Sequence, residues 1–210
     1  MDGLAKRARE IGVIHSVIHA AGMSPNTGEA RVITETNALG TININEAFFE
    51  VMESGTCLID VSSMSGYMVT GFLMPRGIYK YSRKNKDLFI RKMIARVNLF
   101  PKKLRPSMAF AFSKNFVMWY AKTDAIKFGE KGIRVLSISP GSFETPMGEL
   151  EKDSMEKYTQ HSAIKRPGTV EEIANLFAYC VSSKASYLTG IDILCDGSCI
   201  ASGINPFQKN

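Results

Sequence analysis

Histidine and cysteine are the side chains of this 210-residue chain best suited to hold a metal, and their spacing argues against such a site. Cys195 and Cys199 have three residues between them but no second pair of Cys or His ligands to complete a zinc site. His15 and His19 lie four apart in a predicted strand, which places them roughly 13 Å apart, too far to share a metal. We therefore expect no metal. The four cysteines favour reduced thiols and a cytoplasmic location.

Lysine and arginine are concentrated between residues 75 and 105. This segment contains eleven basic residues and a single acid, Asp87, whereas the rest of the chain has a net charge of −4. Three interpretations are possible, in order of preference. The segment is a solvated basic surface or a lid, a surface that binds an anionic ligand or partner, or a surface that binds nucleic acid. We do not expect nucleic acid to be a partner.

The composition excludes several classes of protein. Apolar residues make up 45% of the chain and charged residues 22%, which is typical of a globular domain and not of a disordered chain. No apolar run approaches the ~18 residues needed to cross a bilayer. Residues 1–10 are too charged for a signal peptide. We therefore expect no membrane partner.

Apolar patterning predicts strands that alternate with helices. The predicted strands are 12–21, 56–61, 133–138 and 190–195, and the predicted helices are 28–53, 110–128 and 169–182. Thr169 and Glu172 have the spacing of a capping box. Gly129 and Gly132 are expected to end the long helix in the left-handed conformation. Mostly apolar strands between helices indicate an α/β fold, a parallel sheet covered on both faces.

Short motifs along the chain resemble those of the short-chain dehydrogenase/reductase family, from the fourth strand of its fold to the C-terminus. They are His19-Ala20-Ala21-Gly22, Asn37-Ala38-Leu39-Gly40-Thr41, Ser62-Ser63-Met64-Ser65-Gly66, Ser113-Lys114, Pro140-Gly141 with Thr145-Pro146, and the tail Arg166-Pro167-Gly168, Tyr187-Leu188-Thr189-Gly190 and Asp196-Gly197. The surroundings of Lys114, Glu144-Thr145-Pro146 and a long insert are similar to the bacterial 3α-hydroxysteroid dehydrogenase/carbonyl reductase branch. The resemblance implies a Rossmann-like doubly wound parallel sheet in one domain, 1–210, with a basic insert at 67–109.

The resemblance also implies which residues form the site and which cofactor they bind. The catalytic positions are Asn37, Ser63, Phe110 and Lys114. The positions implied to bind NAD or NADP are His19, Ala21, Gly22, Lys114, Pro140, Gly141, Phe143 and Thr145. The residue that selects NAD or NADP follows a strand with no match in this chain, so that choice stays open.

Phe110 departs from the family pattern, which has a tyrosine four residues before the lysine. A tyrosine hydroxyl has a pKa near 10 and must be tuned toward neutrality to act as acid or base. A lysine at i+4 shares its helix face and favours the phenolate. Phe110 keeps the ring and lacks the proton, so we expect very poor turnover.

Each candidate also has a purely structural interpretation. Lys114 is alternatively a surface lysine, and Ser63 a cap at a strand end. For His19 we favour a structural histidine over a catalytic one. Phe110 is most simply explained by core packing. The aromatic residues that follow it are expected to pack against the sheet or a neighbouring subunit; they are Phe112, Phe116, Trp119 and Tyr120.

The sheet is expected to be N-terminally incomplete. The chain has no G-x-G-x-x-G or similar glycine cluster. By family comparison, about two βαβ units of roughly 30 residues each would precede the first strand. Without them, Val13–Ala20 would form an open, aggregation-prone edge. We therefore expect that a chain starting at Met1 is not an independently stable, cofactor-binding monomer, and that residues 2–10 form an amphipathic helix too short to cover the edge.

Two functions remain open. The first is an NAD(P)-dependent oxidoreductase scaffold for a small apolar carbonyl or secondary alcohol, steroid-like or otherwise lipidic, weakened by Phe110. Its apolar pocket is predicted to be lined by Met23, Met64, Met68, Phe72, Met74 and Phe143. The alternative is a catalytically silent homologue that acts as a binding or assembly subunit. In either case we expect a homo-oligomer.

Overall fold

The computed structural model describes residues 2–69, 71–149 and 152–204, so the ends and two short gaps of the predicted 1–210 domain lie outside the described residues. The helices in these ranges are α1 (Asp2–Ile11), α2 (Ala30–Thr34), α3 (Gly40–Val51), α4 (Ser65–Met68), α5 (Arg76–Tyr79), α6 (Lys86–Val97), α7 (Arg105–Gly129), α8 (Pro146–Glu149), α9 (Lys152–His161) and α10 (Val170–Val181). The strands are β1 (Ser16–His19), β2 (Cys57–Val61), β3 (Arg134–Pro140) and β4 (Asp192–Cys195). No helix of the described chain is both long and apolar enough to cross a bilayer.

The four strands form one parallel sheet in the order β1-β2-β3-β4. Ile18 lies beside Ile59, and Leu58 lies beside Val135. The central strands β2 and β3 are almost continuously buried, as parallel strands covered on both faces are. The α/β, Rossmann-like sheet predicted from the sequence is confirmed.

Helices cover both faces of this sheet. On one face, Leu58 and Val135 pack against Phe48 of α3 and Phe128 of α7. On the other face, the apolar side chains of β2 and β3 pack against α10. Because all four strands pair in parallel, their carboxyl ends meet at one edge of the sheet.

Strand β1 is shorter and more exposed than predicted. The sequence predicted a strand over 12–21 buried on both faces, but β1 covers only Ser16–His19 and Ile18 is 44% exposed. The prediction is wrong because Ile18 lies on the face covered by α10, and α10 packs over β2 and β3 instead. Helix α1 forms as predicted and packs against α3.

Several predicted boundaries also shift. The helical region 28–53 is divided into α2, a π-helical turn at Glu35–Leu39, and α3. Strand β3 continues through Pro140, two residues beyond its predicted end. The capping box is confirmed, because the Thr169 side chain accepts from the Glu172 N–H and the Glu172 side chain accepts from the Thr169 N–H.

Helix α7 begins at Arg105, five residues before its predicted start, so residues 105–109 of the predicted insert belong to it. Gly129 is its last residue and is not left-handed, contrary to the prediction. Gly132 does have a positive φ of 72°, and a Cβ there would clash with Ser54 Oγ. The chain therefore turns into β3 at a position that only glycine fills without strain.

The basic insert is a folded layer on α7. Phe89 and Met93 of α6 are fully buried against the aromatic side of α7, and the rings of Phe89 and Phe116 are 4.6 Å apart. The prediction that Phe112, Phe116 and Tyr120 face the sheet or another subunit is wrong, because the insert of the same chain covers them. Most of the basic side chains lie on the outer side, as the solvated-surface interpretation requires, but Arg83 forms an ion pair with the buried Asp124.

Replacing Phe89 with alanine tests whether the insert is part of the core. Because the Phe89 ring is fully buried against Phe116, Phe89→Ala should lower the free energy of unfolding by about 3–5 kcal/mol. Urea denaturation followed by circular dichroism measures this change. Ile126→Ala, at a side chain 77% exposed, is the control and should change stability by less than about 0.5 kcal/mol. Equal effects of the two substitutions would contradict the packing described here.

Candidate active site

The cleft at the carboxyl ends of the strands brings together most of the predicted site. Its volume is about 300 Å³. It lies where β1, β2 and β3 end, the position at which open parallel α/β sheets bind ligands. Of the predicted site residues, those that line it are Gly22, Ser63, Phe110, Lys114, Pro140, Gly141, Phe143 and Thr145.

Lys114 reaches this cleft from the middle of α7. Its Nζ donates a hydrogen bond to Val61 O at 2.9 Å, at the end of β2, and the residue is only 7% exposed. Burial lowers the pKa of Lys114 to about 8, against the charge of Asp60, which favours the ammonium. The interpretation of Lys114 as a surface lysine is therefore wrong.

Phe110 lies one helical turn before Lys114 on the same face of α7. Its ring centroid is 5.8 Å from Lys114 Nζ, close enough for a cation–π contact, and the ring lines the cleft. The sequence alone is most simply explained by Phe110 packing in the core. In the structure the Phe110 ring also lines the cleft. It presents an aromatic face to the ammonium and no proton to a ligand.

Two serines follow β2 and have different tasks. Ser63 Oγ accepts a hydrogen bond from the Ser65 N–H at 3.1 Å, an interaction that does not use the hydroxyl proton. Ser62 is buried, and its hydroxyl donates to Lys114 O at 2.7 Å. No role was predicted for Ser62 from the sequence, although its hydrogen bond fixes α7 against the end of β2. The Ser-Ser pair at the end of an apolar strand was the available signal.

Asn37 is buried beside the cleft but does not line it. Its Oδ1 accepts from the Met23 N–H at 2.8 Å, and its Nδ2 donates to Met23 O at 3.0 Å and to Ser113 Oγ at 3.2 Å. A Cβ on Gly22 would lie 3.1 Å from Asn37 Oδ1 and 3.3 Å from Lys114 Nζ. Asn37 therefore holds the loop after β1 against α7, from a π-helical turn of the kind often found at functional sites.

His19 and Ala21 are not among the residues that line the cleft. His19 Nδ1 lies 3.2 Å from Asp60 Oδ1 in the interior, which matches the structural interpretation of this histidine. Ala21 is exposed. The resemblance implies that His19 and Ala21 bind the cofactor. This role stays a prediction, because neither residue lines the cleft.

A buried polar network lies behind His19, and the sequence did not indicate it. Asn45 Nδ2 donates to Asp60 Oδ2 and to Asp124 Oδ2, both at 3.0 Å. Arg83 of the insert forms an ion pair with Asp124. Burial raises the pKa of the Asp124 carboxyl, while Arg83 and Asn45 oppose that change. The network connects the sheet, α3, α7 and the insert through side chains far apart in the sequence.

The apolar lining of the cleft differs in part from the prediction. Met23, Met64 and Phe143 line it, whereas Met68, Phe72 and Met74 do not. Met74 is instead buried in the core beneath the insert, and Phe72 is 88% exposed. Helices α9 and α10 supply the remaining apolar wall with Met155, Tyr158, Ile173 and Phe177. The prediction for Phe72 and Met74 is wrong because the fold of the insert buries Met74 in its own core and leaves Phe72 on the surface.

Comparisons with known proteins agree with this fold and cleft. A profile of the family described as enoyl-(acyl carrier protein) reductase matches residues 101–198. A short-chain dehydrogenase/reductase of Alternaria brassicicola is 28% identical over 204 residues, which are 94% of this chain and 72% of that protein. Glucose 1-dehydrogenase 2 of Bacillus subtilis is 28% identical over 179 residues, which are 80% of this chain and 68% of that protein.

Solved structures share the fold at low sequence identity. A 3α-hydroxysteroid dehydrogenase of a Pseudomonas species, complexed with NADH, superposes with a TM-score of 0.79 at 17% identity and covers 94% of this chain and 78% of that one. A short-chain dehydrogenase of Burkholderia cenocepacia in complex with NADP has a TM-score of 0.71 at 17% identity. The match covers 95% of this chain and 71% of that one. The chain thus spans 68% to 78% of the length of these four proteins.

The fold and the cleft define a Rossmann-like α/β protein with its site at the carboxyl edge of a parallel sheet. In sequence the chain is similar to proteins named short-chain dehydrogenase/reductases, over 94% of its length.

The buried ammonium makes a testable prediction about stability and pH. Because the pKa of Lys114 falls from 10.5 to about 8 on folding, the unfolded chain binds more protons between these values. The free energy of unfolding of the wild type should therefore rise relative to that of Lys114→Met as the pH increases from about 8 to 10.5. The total gain should be up to about 3 kcal/mol. Urea denaturation at a series of pH values measures the difference.

The exposed Lys122 on the same helix provides the control. Lys122→Met should leave the pH profile of stability parallel to that of the wild type. If the Lys114→Met profile is also parallel, then Lys114 does not have a lowered pKa in the folded protein.

Proposed function

We propose that this chain is an oxidoreductase scaffold that binds NAD or NADP and a small apolar carbonyl compound or secondary alcohol. The observation that carries the proposal is the meeting of Lys114, Ser63 and Gly22 in one cleft. The chain's relatives are named as dehydrogenases and reductases, and its structural neighbours are complexed with NADH and NADP, which supports the same cofactor class.

The residues of the cleft fit the nicotinamide riboside half of such a cofactor. Lys114 has three N–H donors, and within the described residues one of them is used by Val61 O. The remaining donors suit the hydroxyls of a ribose. Pro140, Gly141 and Thr145 line the cleft and would border the nicotinamide ring, as the family resemblance implies.

The side chains of the cleft indicate which group would perform each part of the reaction. When bound, the cofactor would supply or accept a hydride at the carbonyl carbon of the substrate. The Ser63 hydroxyl would donate a hydrogen bond to the carbonyl oxygen, since its proton is free of the Ser65 contact. Lys114 would hold the ribose and keep positive charge near the reacting oxygen. Phe110 has no proton to transfer, so the proton step is left without its usual acid or base.

The substrate class follows from the lining of the cleft. Within its described lining, Lys114 is the one charged residue, and the wall is otherwise mostly methionine, aromatic and small side chains. An uncharged apolar substrate, steroid-like or otherwise lipidic, satisfies such a wall better than a charged one. We also propose a cytoplasmic location, on the basis of the free cysteines, and a homo-oligomer that does not use the covered aromatic side of α7.

Phe110→Tyr tests the proposal directly. Restoring the hydroxyl beside Lys114 should raise the rate of ketone reduction by about 10²–10⁴-fold, the usual contribution of a general acid. The assay follows the absorbance of reduced nicotinamide with a panel of steroid and cyclic ketones. Phe110→Leu, which adds no proton, is the matched control and should leave the rate at the wild-type level.

The double variant Phe110→Tyr with Lys114→Met should lose the gain, because the phenol is then no longer tuned by an ammonium. A Phe110→Tyr protein that binds cofactor yet reduces no ketone of the panel faster than the wild type would refute the catalytic scaffold.

The alternative function is a catalytically silent subunit that binds partners or supports assembly. It is favoured by Phe110 together with the lack of a G-x-G-x-x-G turn in the sequence. Calorimetry separates the two functions, since the silent subunit should bind neither NADH nor NADPH. Micromolar binding of either nucleotide would contradict the alternative.

A further inference from the structure

The outer end of the insert combines positive charge with exposed apolar side chains. We call this surface the basic–apolar patch. It consists of the turn at Gly71–Leu73, the C-terminal part of α6 and the connection to α7. Its cations are Arg91, Lys92, Arg96, Lys102, Lys103 and Arg105, and its exposed apolar side chains are Phe72, Leu73, Leu99 and Leu104.

Hydrogen bonds hold the parts of the patch together. The Arg96 guanidinium donates to Phe72 O at 2.8 Å, which joins the turn to the end of α6. Arg105 donates to Phe100 O and to Asn98 O, both at 3.0 Å, which joins the connection to the start of α7. Phe72 is therefore displayed on an anchored turn and not on a free loop.

The charge of the patch is not neutralised by neighbouring acids. Asp87 is the only acid between Val61 and Thr123 in the sequence, and it lies in the first turn of α6, away from the patch. At that other end of the insert, Arg83 and Lys86 form ion pairs with Asp124 and Glu46. Within the described residues, none of the cations of the patch has such a pair.

The combination of side chains distinguishes between possible occupants. A single-stranded nucleic acid would use aromatic rings on which bases stack, but three of the four exposed apolar residues are leucines. Acidic side chains of a partner protein would pair with the cations. Charge pairing alone would not explain the Phe72 ring, which is 88% exposed. A bilayer interface accepts both features at once, because leucine and phenylalanine enter the acyl boundary while lysine and arginine contact anionic headgroups.

We propose that the basic–apolar patch is a docking surface for a bilayer that contains anionic lipid. This inference does not depend on the reaction proposed for the cleft. Peripheral binding of this kind needs no spanning segment, so it replaces the expectation of no membrane partner.

Cosedimentation with vesicles tests the docking surface. The full chain should bind vesicles of phosphatidylcholine with about one third phosphatidylserine, and it should bind phosphatidylcholine alone much more weakly. Binding should fall as salt is added, since the headgroup interaction is screened. The double variant Lys102→Glu, Lys103→Glu should weaken binding by about 30-fold or more, because both side chains are fully outside the hydrogen-bonded frame of the patch.

The control is the double variant Lys122→Glu, Lys184→Glu, which makes the same change in net charge at exposed lysines outside the patch. It should bind like the wild type. Phe72→Ser should remove the part of the binding that persists at high salt, whereas Tyr187→Ser, at another fully exposed ring, should not. Thermal melting verifies that all variants are folded.

Several results would overturn the proposal. One is equal binding of the wild type to neutral and anionic vesicles, or no binding to either. Another is equal loss in the patch and control variants, which would show that only net charge matters. Retention of an oligonucleotide or an acidic protein by the patch, without vesicle binding, would assign the surface to that other partner instead.

Discussion

The burial of one positive charge organises the site of this protein. An ammonium in the interior is costly unless its hydrogens are satisfied, and Lys114 reaches Val61 O at the end of the central strand. The same residue's carbonyl accepts from Ser62, so α7 is joined to the end of the strand by two hydrogen bonds. Because α7 is fixed in this way, Phe110 and Ser113 also have defined positions, and Ser113 in turn supports Asn37 and the loop that carries Gly22.

The insert stabilises the outer side of the same helix. Its apolar residues cover the aromatic side of α7, and Arg83 extends inward to Asp124, which shares Asn45 with Asp60. Asp60 lies directly before Val61 and its charge favours the protonated form of Lys114. The basic segment therefore has two sides with different tasks. One side closes the core and completes the polar network around the site, and the other leaves a band of cations and leucines on the surface.

Local patterns predicted the features that depend on neighbouring residues in the sequence. The capping box of Thr169 and Glu172 and the buried strand β2 were correct because caps and strand periodicity are set within a few residues. The sequence could not predict the π-helical turn around Asn37, or the burial of Met74 with exposure of Phe72, because tertiary packing decides both. The exposure of Ile18 likewise depends on how far α10 extends over the sheet. The network from His19 to Arg83 joins five elements, and no spacing along the chain encodes it.

Titration of the chain with NADH and NADPH, followed by nucleotide fluorescence, tests the central claim most directly. If Lys114 is the group that holds the cofactor, the wild type binds at least one nucleotide, and Lys114→Met weakens that binding by about tenfold or more, the value of a charge-assisted hydrogen bond. Lys122→Met on the same helix should bind like the wild type. Absence of binding to the wild type, or equal binding by wild type and Lys114→Met, would contradict a cofactor site organised by this lysine.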